Sequence, residues 1–300
     1  MNSGKIFDIQ RFCWQDGSGI RTVVFFKGCP LKCIWCHNPE SKSSVSDMFF
    51  DSEKCTVCGR CIKACPNNCH IIKNGEHIFR RENCVKCFEC VNVCPSNALE
   101  VCGKDMTADD IVKAVSKDIQ FYRQSGGGVT LSGGEPLMQY DFATELLSKL
   151  KKSGISTAIE TSGYTDNSIE AINRYCDKWL FDIKLLSESD HIKYTGVSNG
   201  KILEKLFCLD SLGAEITLRC PIIPNINLTE EHFIGLADLA ARLKNISEIQ
   251  LEPYHPLGIA KTVKLGKVPE YNNTEFLDES SILSFTDILK SKTDVKVTVM

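Results

Sequence analysis

The sequence predicts an α/β protein: a partial, TIM-like (β/α)6 barrel over residues 1–49 and 103–300, interrupted by a small metal-stapled domain over 50–102. Three observations predict it. Strand and helix patterns alternate from residue 107 onward, and repeated strand–helix units imply a parallel sheet with right-handed crossovers. Residues 50–102 are dense in cysteine and poor in long periodic segments. Hydrophobic residues make up 43% and charged residues 24%, so the remainder can form a core of ordinary size.

Taken in order, residues 20–27 (IRTVVFFK) read as a strand rich in β-branched and aromatic side chains. A cysteine loop follows it directly. Residues 105–123 read as a helix capped by Thr107, with Asp109 and Asp110 in its first turn. Residues 126–134 (GGGVTLSGG) form a short strand that ends in a glycine turn. Residues 140–154 are an amphipathic helix stopped by Gly154. Strands then fall at 155–163, 178–186, 214–223 and 246–254, with helices at 167–176, 200–213 and 230–244 between them. A helix over 278–291 and a last strand over 295–300 close the chain. Six strands favour a partial barrel over a closed one of eight. Functional residues of such folds sit on loops at the carboxyl ends of the strands, and every motif below lies there.

Several function classes are excluded. The net charge of −3 gives no nucleic-acid footprint. The opening MNSGKIFDIQRF lacks the apolar centre of a signal peptide, and no apolar run nears the roughly 20 residues that span a bilayer. A cytoplasmic protein is expected, where disulfides are improbable. Yet there are 17 cysteines. Eleven fall into three tight groups between Cys29 and Cys94; Cys13, Cys69, Cys102, Cys176, Cys208 and Cys220 stand apart and read as buried thiols.

Cys29, Cys33 and Cys36 have the spacing Cys-x3-Cys-x2-Cys. Three thiolates on one loop can hold three corners of a four-iron cubane, whose usual complement is four protein ligands. The fourth iron stays open to a substrate, and an amino and a carboxylate group could chelate it. Zinc or three structural thiols are the alternatives, but zinc prefers four ligands and paired Cys-x2-Cys arms. Ser132-Gly133-Gly134-Glu135-Pro136 ends the next strand. Its glycines allow close backbone approach, and Glu135 supplies an acceptor for an ammonium. Asp182-Ile183-Lys184, Glu160-Thr161-Ser162-Gly163, Arg219 and His255 end further strands.

Two later groups repeat one pattern. Cys55, Cys58, Cys61 and Cys65-Pro66, then Cys84, Cys87, Cys90 and Cys94-Pro95, each follow Cys-x2-Cys-x2-Cys-x3-Cys-Pro, the run of bacterial ferredoxins. The fourth cysteine of each run then serves the other cluster. Cys55, Cys58, Cys61 and Cys94 share one cluster, and Cys84, Cys87, Cys90 and Cys65 the other.

The three-cysteine loop and the Gly-Gly-Glu segment resemble those of the radical S-adenosylmethionine superfamily. Residues 20–29, the stretch Trp35-Cys36-His37-Asn38-Pro39-Glu40-Ser41, residues 193–199 and residues 252–258 resemble the activating enzymes of glycyl radical enzymes, of which pyruvate formate-lyase activase is the best known. Asp16-Gly17-Ser18-Gly19-Ile20-Arg21 resembles their Asp-Gly-Pro-Gly-Ile-Arg, with Ser18 in place of proline. The resemblance implies a radical barrel with a ferredoxin-like insertion, three [4Fe–4S] clusters and S-adenosylmethionine. It implies reductive cleavage to a 5′-deoxyadenosyl radical, which takes hydrogen from a backbone glycine of a partner enzyme under anaerobic conditions. Flavodoxin or ferredoxin is the implied electron donor, and the insertion implies an electron relay.

Residue roles follow from the resemblance alone. Cys29, Cys33 and Cys36 carry the open cluster. Trp35, Cys36 and His37 contact adenine; Gly133, Gly134 and Glu135 face the methionyl group; Asp182, Ile183, Lys184 and Arg219 line the cofactor, with Lys184 near its carboxylate; His255 closes the far side. Glu160, Thr161, Leu180 and Asp182 match a site for a monovalent cation, Na+ or K+, although Glu160 is longer than the aspartate found there. Asp16 to Arg21 help receive the partner's glycine loop. The rival readings are another radical S-adenosylmethionine enzyme acting on a small molecule, whose extra clusters usually follow the barrel, and a ferredoxin-type electron carrier, which leaves some 200 residues of barrel without a use.

Overall fold

The protein, seen in a computed structural model, is described over residues 2–300. Its strands in chain order are β1 (Ser3–Cys13), β2 (Arg21–Phe26), β3 (Asp47–Phe50), β4 (His70–Lys73), β5 (Glu76–Phe79), β6 (Leu99–Cys102), β7 (Lys104–Thr107), β8 (Gly128–Gly133), β9 (Ser156–Thr161), β10 (Lys178–Asp182), β11 (Ile216–Ile222), β12 (Ile246–Pro253) and β13 (Lys296–Val299). Nine of them form one sheet in the order β13-β12-β11-β10-β9-β8-β2-β1-β7. From β2 through β13 every neighbouring pair is parallel. The sheet stays open between β13 and β7, as a partial barrel does.

The six expected parallel strands are all present, and 295–300 adds a seventh. β1 and β7 were not expected. They form an antiparallel edge beyond β2. In β1, Lys5, Asp8, Gln10 and Arg11 break the apolar run, and two register shifts break the pairing, so little period-2 signal survives. The central strands are buried on both faces, as parallel strands under helices must be. Every residue of β11 is buried, and Trp179 and Phe181 of β10 have no exposed surface. Helix Tyr140–Lys152 lays Phe142, Leu146, Leu147 and Leu150 on the sheet at helical spacing.

Thr107 caps its helix as expected, in a reciprocal capping box with Asp110. The helix itself is not continuous. It ends at Val115, passes a 3-10 turn at Ser116–Asp118 and resumes at Ile119–Ser125. Asp118, 1% exposed, lies at this break and pairs with Arg11.

Residues 47–102 hang between β2 and β7. β3 pairs with β6, and β4 with β5, both antiparallel, with short helices at Arg60–Ala64 and Glu89–Asn92. Arg81 fixes this unit to the barrel by donating to the carbonyls of Met48 (2.7 Å) and Lys264 (2.6 Å), and Lys264 pairs with Asp51 at 2.8 Å. Among the described residues no helix is long and apolar enough to cross a membrane. All 17 cysteines are free.

Candidate active site

The cysteine loop leaves β2 through Gly28, whose φ of 93° suits glycine. Backbone hydrogen bonds grip it from two sides. Gly28 N–H donates to Ser41 O and Glu135 N–H to Gly28 O. A side chain on Gly134 would place its Cβ 2.3 Å from Gly28 O, so only glycine lets the two backbones meet. On the other side Lys32 N–H donates to Thr195 O (2.7 Å) and Ile34 N–H to Tyr194 O, which gives the 193–199 segment its use.

The loop and the carboxyl ends of β8 to β12 enclose a cavity of about 490 Å³. It gathers Cys29, Cys33, Cys36, Trp35, His37, Gly133, Gly134, Glu160, Asp182, Lys184, Arg219 and His255. Burial pushes the Cys29 and Cys36 thiols up and Cys33 up to about 11. Among the described residues no fourth cysteine lines the cavity.

Opposite the thiols lies a ring of charge. Arg219 donates to Glu160 at 2.9 Å, pairs with Glu252 and stands 3.9 Å from Asp16. Lys184 pairs with Asp182 at 2.9 Å. Four carboxylates thus meet two cations. Burial, against the pull of Arg219, raises Glu252 to about 7. Burial and the neighbouring Glu160 raise Asp16 to about 6. Burial works against the Lys184 ammonium, yet Asp182 holds it above its ordinary range. Carboxylates thus outnumber cations in the site.

At the far wall the rings of His37 and His255 stack 3.7 Å apart. Burial and the His255 ring hold His37 down at about 3. Both rings carry a buried nitrogen without a partner, Nε2 of His37 and Nδ1 of His255. Helix Leu257–Lys264 backs this wall. Gly258 lies so close that a Cβ there would sit 2.4 Å from Cys36 O, and Lys261 reaches His37 O (3.2 Å) and Asn38 Oδ1 (3.0 Å).

Several expectations need correction. Glu135 does not offer its carboxylate to the cavity. One oxygen accepts from Thr161 Oγ1 (2.6 Å) and Leu137 N–H, the other from Ser162 N–H (2.9 Å) and Oγ (2.7 Å). Its four acceptor positions are filled, so it braces β8 against β9. Ile183 points into the core, 2% exposed, because alternate residues of an extended segment face opposite ways; Asp182 and Lys184 take the cavity side. Of the expected cation ligands, Glu160 and Asp182 line the cavity. Thr161 spends its hydroxyl on Glu135, and Leu180 sits at 0% exposure within β10. Arg21, 2% exposed, donates to Thr130 Oγ1 and Val129 O inside the sheet, so it orders β2 rather than meeting a partner. Cys13 and Cys208 are partly exposed rather than buried. Asp16 and Glu252, read only as parts of segments, complete the ring around Arg219; their meeting joins positions 236 apart, beyond any local signal.

The eight ferredoxin-run cysteines surround two smaller cavities in the unit 47–102. Cys55, Cys58, Cys61 and Cys94 line one, and Cys65, Cys84, Cys87 and Cys90 the other. Burial raises Cys90 to about 12. His77 lines the first cavity, and Cys69 and His70 the second; none of the three was singled out in the sequence as near a metal.

Residues 23–240 match the radical SAM superfamily. The chain is 42% identical over 266 residues to the trans-4-hydroxy-L-proline dehydratase activating enzyme of Clostridioides difficile, covering 87% of this chain and 88% of that one. It is 41% identical over 295 residues to the (2S)-3-sulfopropanediol sulfolyase activating enzyme of Bilophila wadsworthia, covering 96% and 97%. Among solved structures, QueE from Escherichia coli superposes with a TM-score of 0.50 at 13% identity over 99% of this chain and 94% of that one, a likeness of fold alone.

Proposed function

We propose the following division of roles for the protein, which belongs to the radical SAM superfamily and, within it, to the activating enzymes of glycyl radical enzymes. It generates a glycyl radical on a partner protein. The bound iron–sulfur cluster and S-adenosylmethionine supply an electron and a 5′-deoxyadenosyl radical for removing hydrogen from the partner's glycine. The protein's own residues bind, orient and exclude water.

Cys29, Cys33 and Cys36 hold the open cluster. They fit because three thiols, Cys33 buried and Cys29 and Cys36 half-buried, line one cavity with no fourth cysteine. Their raised thiol pKa values mean that three protons leave as the metal binds. Lys184 is placed to meet a carboxylate. Asp182 and Glu160 are placed to meet an ammonium or a small monovalent cation, Na+ or K+. The backbone of Gly133 and Gly134 takes the part that the buried Glu135 cannot. His37 and His255, both neutral, give an aromatic wall with unpaired nitrogens that suits an adenine. Gln15 and Asp16 line the cavity on the side where the partner's glycine loop is to enter. The excess of carboxylates over cations around Arg219 is the observation that carries this reading, because a sulfonium cofactor with an ammonium brings the missing charge.

The unit 47–102 holds two further [4Fe–4S] clusters and passes electrons from a flavodoxin or ferredoxin. Its two four-cysteine cavities support this. Anaerobically reconstituted protein is then expected to hold about twelve irons per chain, and the Cys36→Ser variant about eight. With reductant and S-adenosylmethionine the wild type yields methionine and 5′-deoxyadenosine; the variant yields neither. Reduced wild-type protein that formed no 5′-deoxyadenosine would overturn the reading.

A further inference from the structure

The two ferredoxin runs are copies of one unit offset by 29 residues, pairing Cys55 with Cys84 and Cys65 with Cys94. Their backbones agree even where strained. Val57 and Lys86 have φ of 54° and 58°, and Asn68 and Asn97 have 52° and 51°. The copies part just after the fourth cysteine. The second carries Ala98-Leu99, and their hydrocarbon lines the first cavity. The first carries Cys69-His70, which puts a thiol and an imidazole into the wall of the second cavity.

His70 is 1% exposed, and its Nε2 has no partner in the protein. Its Nδ1 lies 3.0 Å from Nε2 of His77. Nδ1 of His77 lies 3.3 Å from Sγ of Cys55, a ligand of the first cavity. The two imidazoles therefore reach from one cluster site to the other. Phe79 stacks on His70 and Phe50 packs edge-on against His77, so neither ring can turn away.

We propose that His70 and His77 form a hydrogen-bonded bridge between the two closed clusters and hold them at unequal reduction potentials. This rests on the two-cluster reading above. An uncharged imidazole pair carries two ring protons, and one is spent on the bond between the rings. A single imidazole donor remains for two clusters. His77 meets two ligand sulfurs, Cys55 at 3.3 Å from Nδ1 and Cys61 at 3.7 Å from Nε2; the shorter contact assigns the donor to His77 Nδ1–H, which leaves Nε2 of His77 to accept from His70 Nδ1–H. The tautomer of one ring is set by the bond the other makes, so His70 is a positioning residue for a donor aimed at a cluster it does not line. A hydrogen bond to a ligand sulfur favours the reduced, more negative cluster and raises its potential. The second cluster faces His70 and receives no imidazole bond; the sulfurs of Cys65 and Cys84 accept instead from the backbone N–H groups of Cys69 (3.3 Å) and Lys86 (3.4 Å). The imidazole bond therefore adds to the potential of the first cluster alone.

An EPR-monitored redox titration of the reconstituted full-length protein tests this, with the open cluster identified by the change in its signal on adding S-adenosylmethionine. Two separate reduction steps are expected for the closed clusters. In His77→Phe the upper step falls toward the lower. In His77→Gln, which keeps an N–H donor, it falls less. In His70→Leu, which restores the residue found at position 99, it falls because His77 loses its fixed tautomer. Should His77→Phe fail to load iron, His70→Leu still decides the matter. Midpoints unchanged in His70→Leu with full iron content would overturn the bridge. A wild type holding only about four irons per chain would instead overturn the two-cluster reading beneath it.

Discussion

The barrel and the unit 47–102 are held together by different forces. In the barrel, Val24, Phe26, Leu131, Ile159, Phe181 and Leu218 are all at 0% exposure, within one continuous core. In the inserted unit the buried apolar centre is Met48, Cys90 and Leu99, with Phe50, Phe79 and Phe88 half-covered around it. So small a buried centre removes little apolar surface from water to set against the entropy of ordering the chain. Nine of its residues are cysteines that line two cavities. One region folds by burial, and the other is expected to depend on metal held by those thiols.

The sharpest way to break that comparison is to strip the iron. After anaerobic chelation the amides of 55–97 are expected to exchange with solvent within the dead time of a hydrogen-exchange experiment, while β8 to β11 keep their protection. Persistent protection in 55–97 without iron would show that the inserted unit has a sufficient core of its own.

The converse change is Trp179→Ala. Trp179 has no exposed surface, and its Nε1–H donates to Asn173 Oδ1 at 2.8 Å. A cavity of that size costs about 3–5 kcal/mol. Denaturant unfolding of the barrel, followed by tryptophan fluorescence and far-ultraviolet dichroism, is expected to shift by that amount. Visible absorbance from the closed clusters at zero denaturant stays as in the wild type.

A smaller effect comes from the carboxylates of the site. Glu252 and Asp16 are held near 7 and 6 in the folded protein without cofactor, above the ordinary carboxylate value of about 4. A raised folded value means that the native state binds the extra proton. Their contribution is therefore full below about pH 4 and is lost as pH rises through 6 and 7. Glu252 alone is expected to cost the cofactor-free protein about 2.5 kcal/mol between pH 5 and 8. Glu252→Gln flattens that slope in melts across the same range. Adding S-adenosylmethionine flattens it too if the guest neutralises the ring; a slope unchanged by both would remove the charge argument.

These contrasts also mark what could be read from the sequence. The grouping of the cysteines around three cavities was legible in their spacing, and the parallel strands because burial on both faces leaves long apolar runs. The charge ring was legible only in part. Glu160, Asp182 and Arg219 stand at strand ends, where function is expected, but Glu252 and Asp16 join them through the curvature of the sheet. Glu135 and Ile183 stand at strand ends as well and turn inward, because the facing of a side chain depends on register and on which hydroxyls lie behind it. His70 and His77 sit in a segment read for its cysteines alone, and only comparison of the two ferredoxin runs shows that His70 replaces a leucine.

The joint between the two regions gives the smallest and most local prediction. Arg81 leaves the inserted unit, lays its guanidinium over Phe79 at 4.5 Å and donates to Met48 O and Lys264 O. It thereby ties β3 to the end of helix Leu257–Lys264, the same helix that backs His37. Arg81→Met keeps an apolar stem against the ring but removes both hydrogen bonds, at a cost of about 1 kcal/mol for a half-buried pair. Global unfolding of the barrel is expected to stay unchanged, while local opening speeds hydrogen exchange roughly fivefold at residues 47–51. The inserted unit then remains folded around its iron and is merely held less firmly. Faster exchange throughout 55–97 would mean instead that the barrel, and not the metal alone, keeps the inserted unit folded.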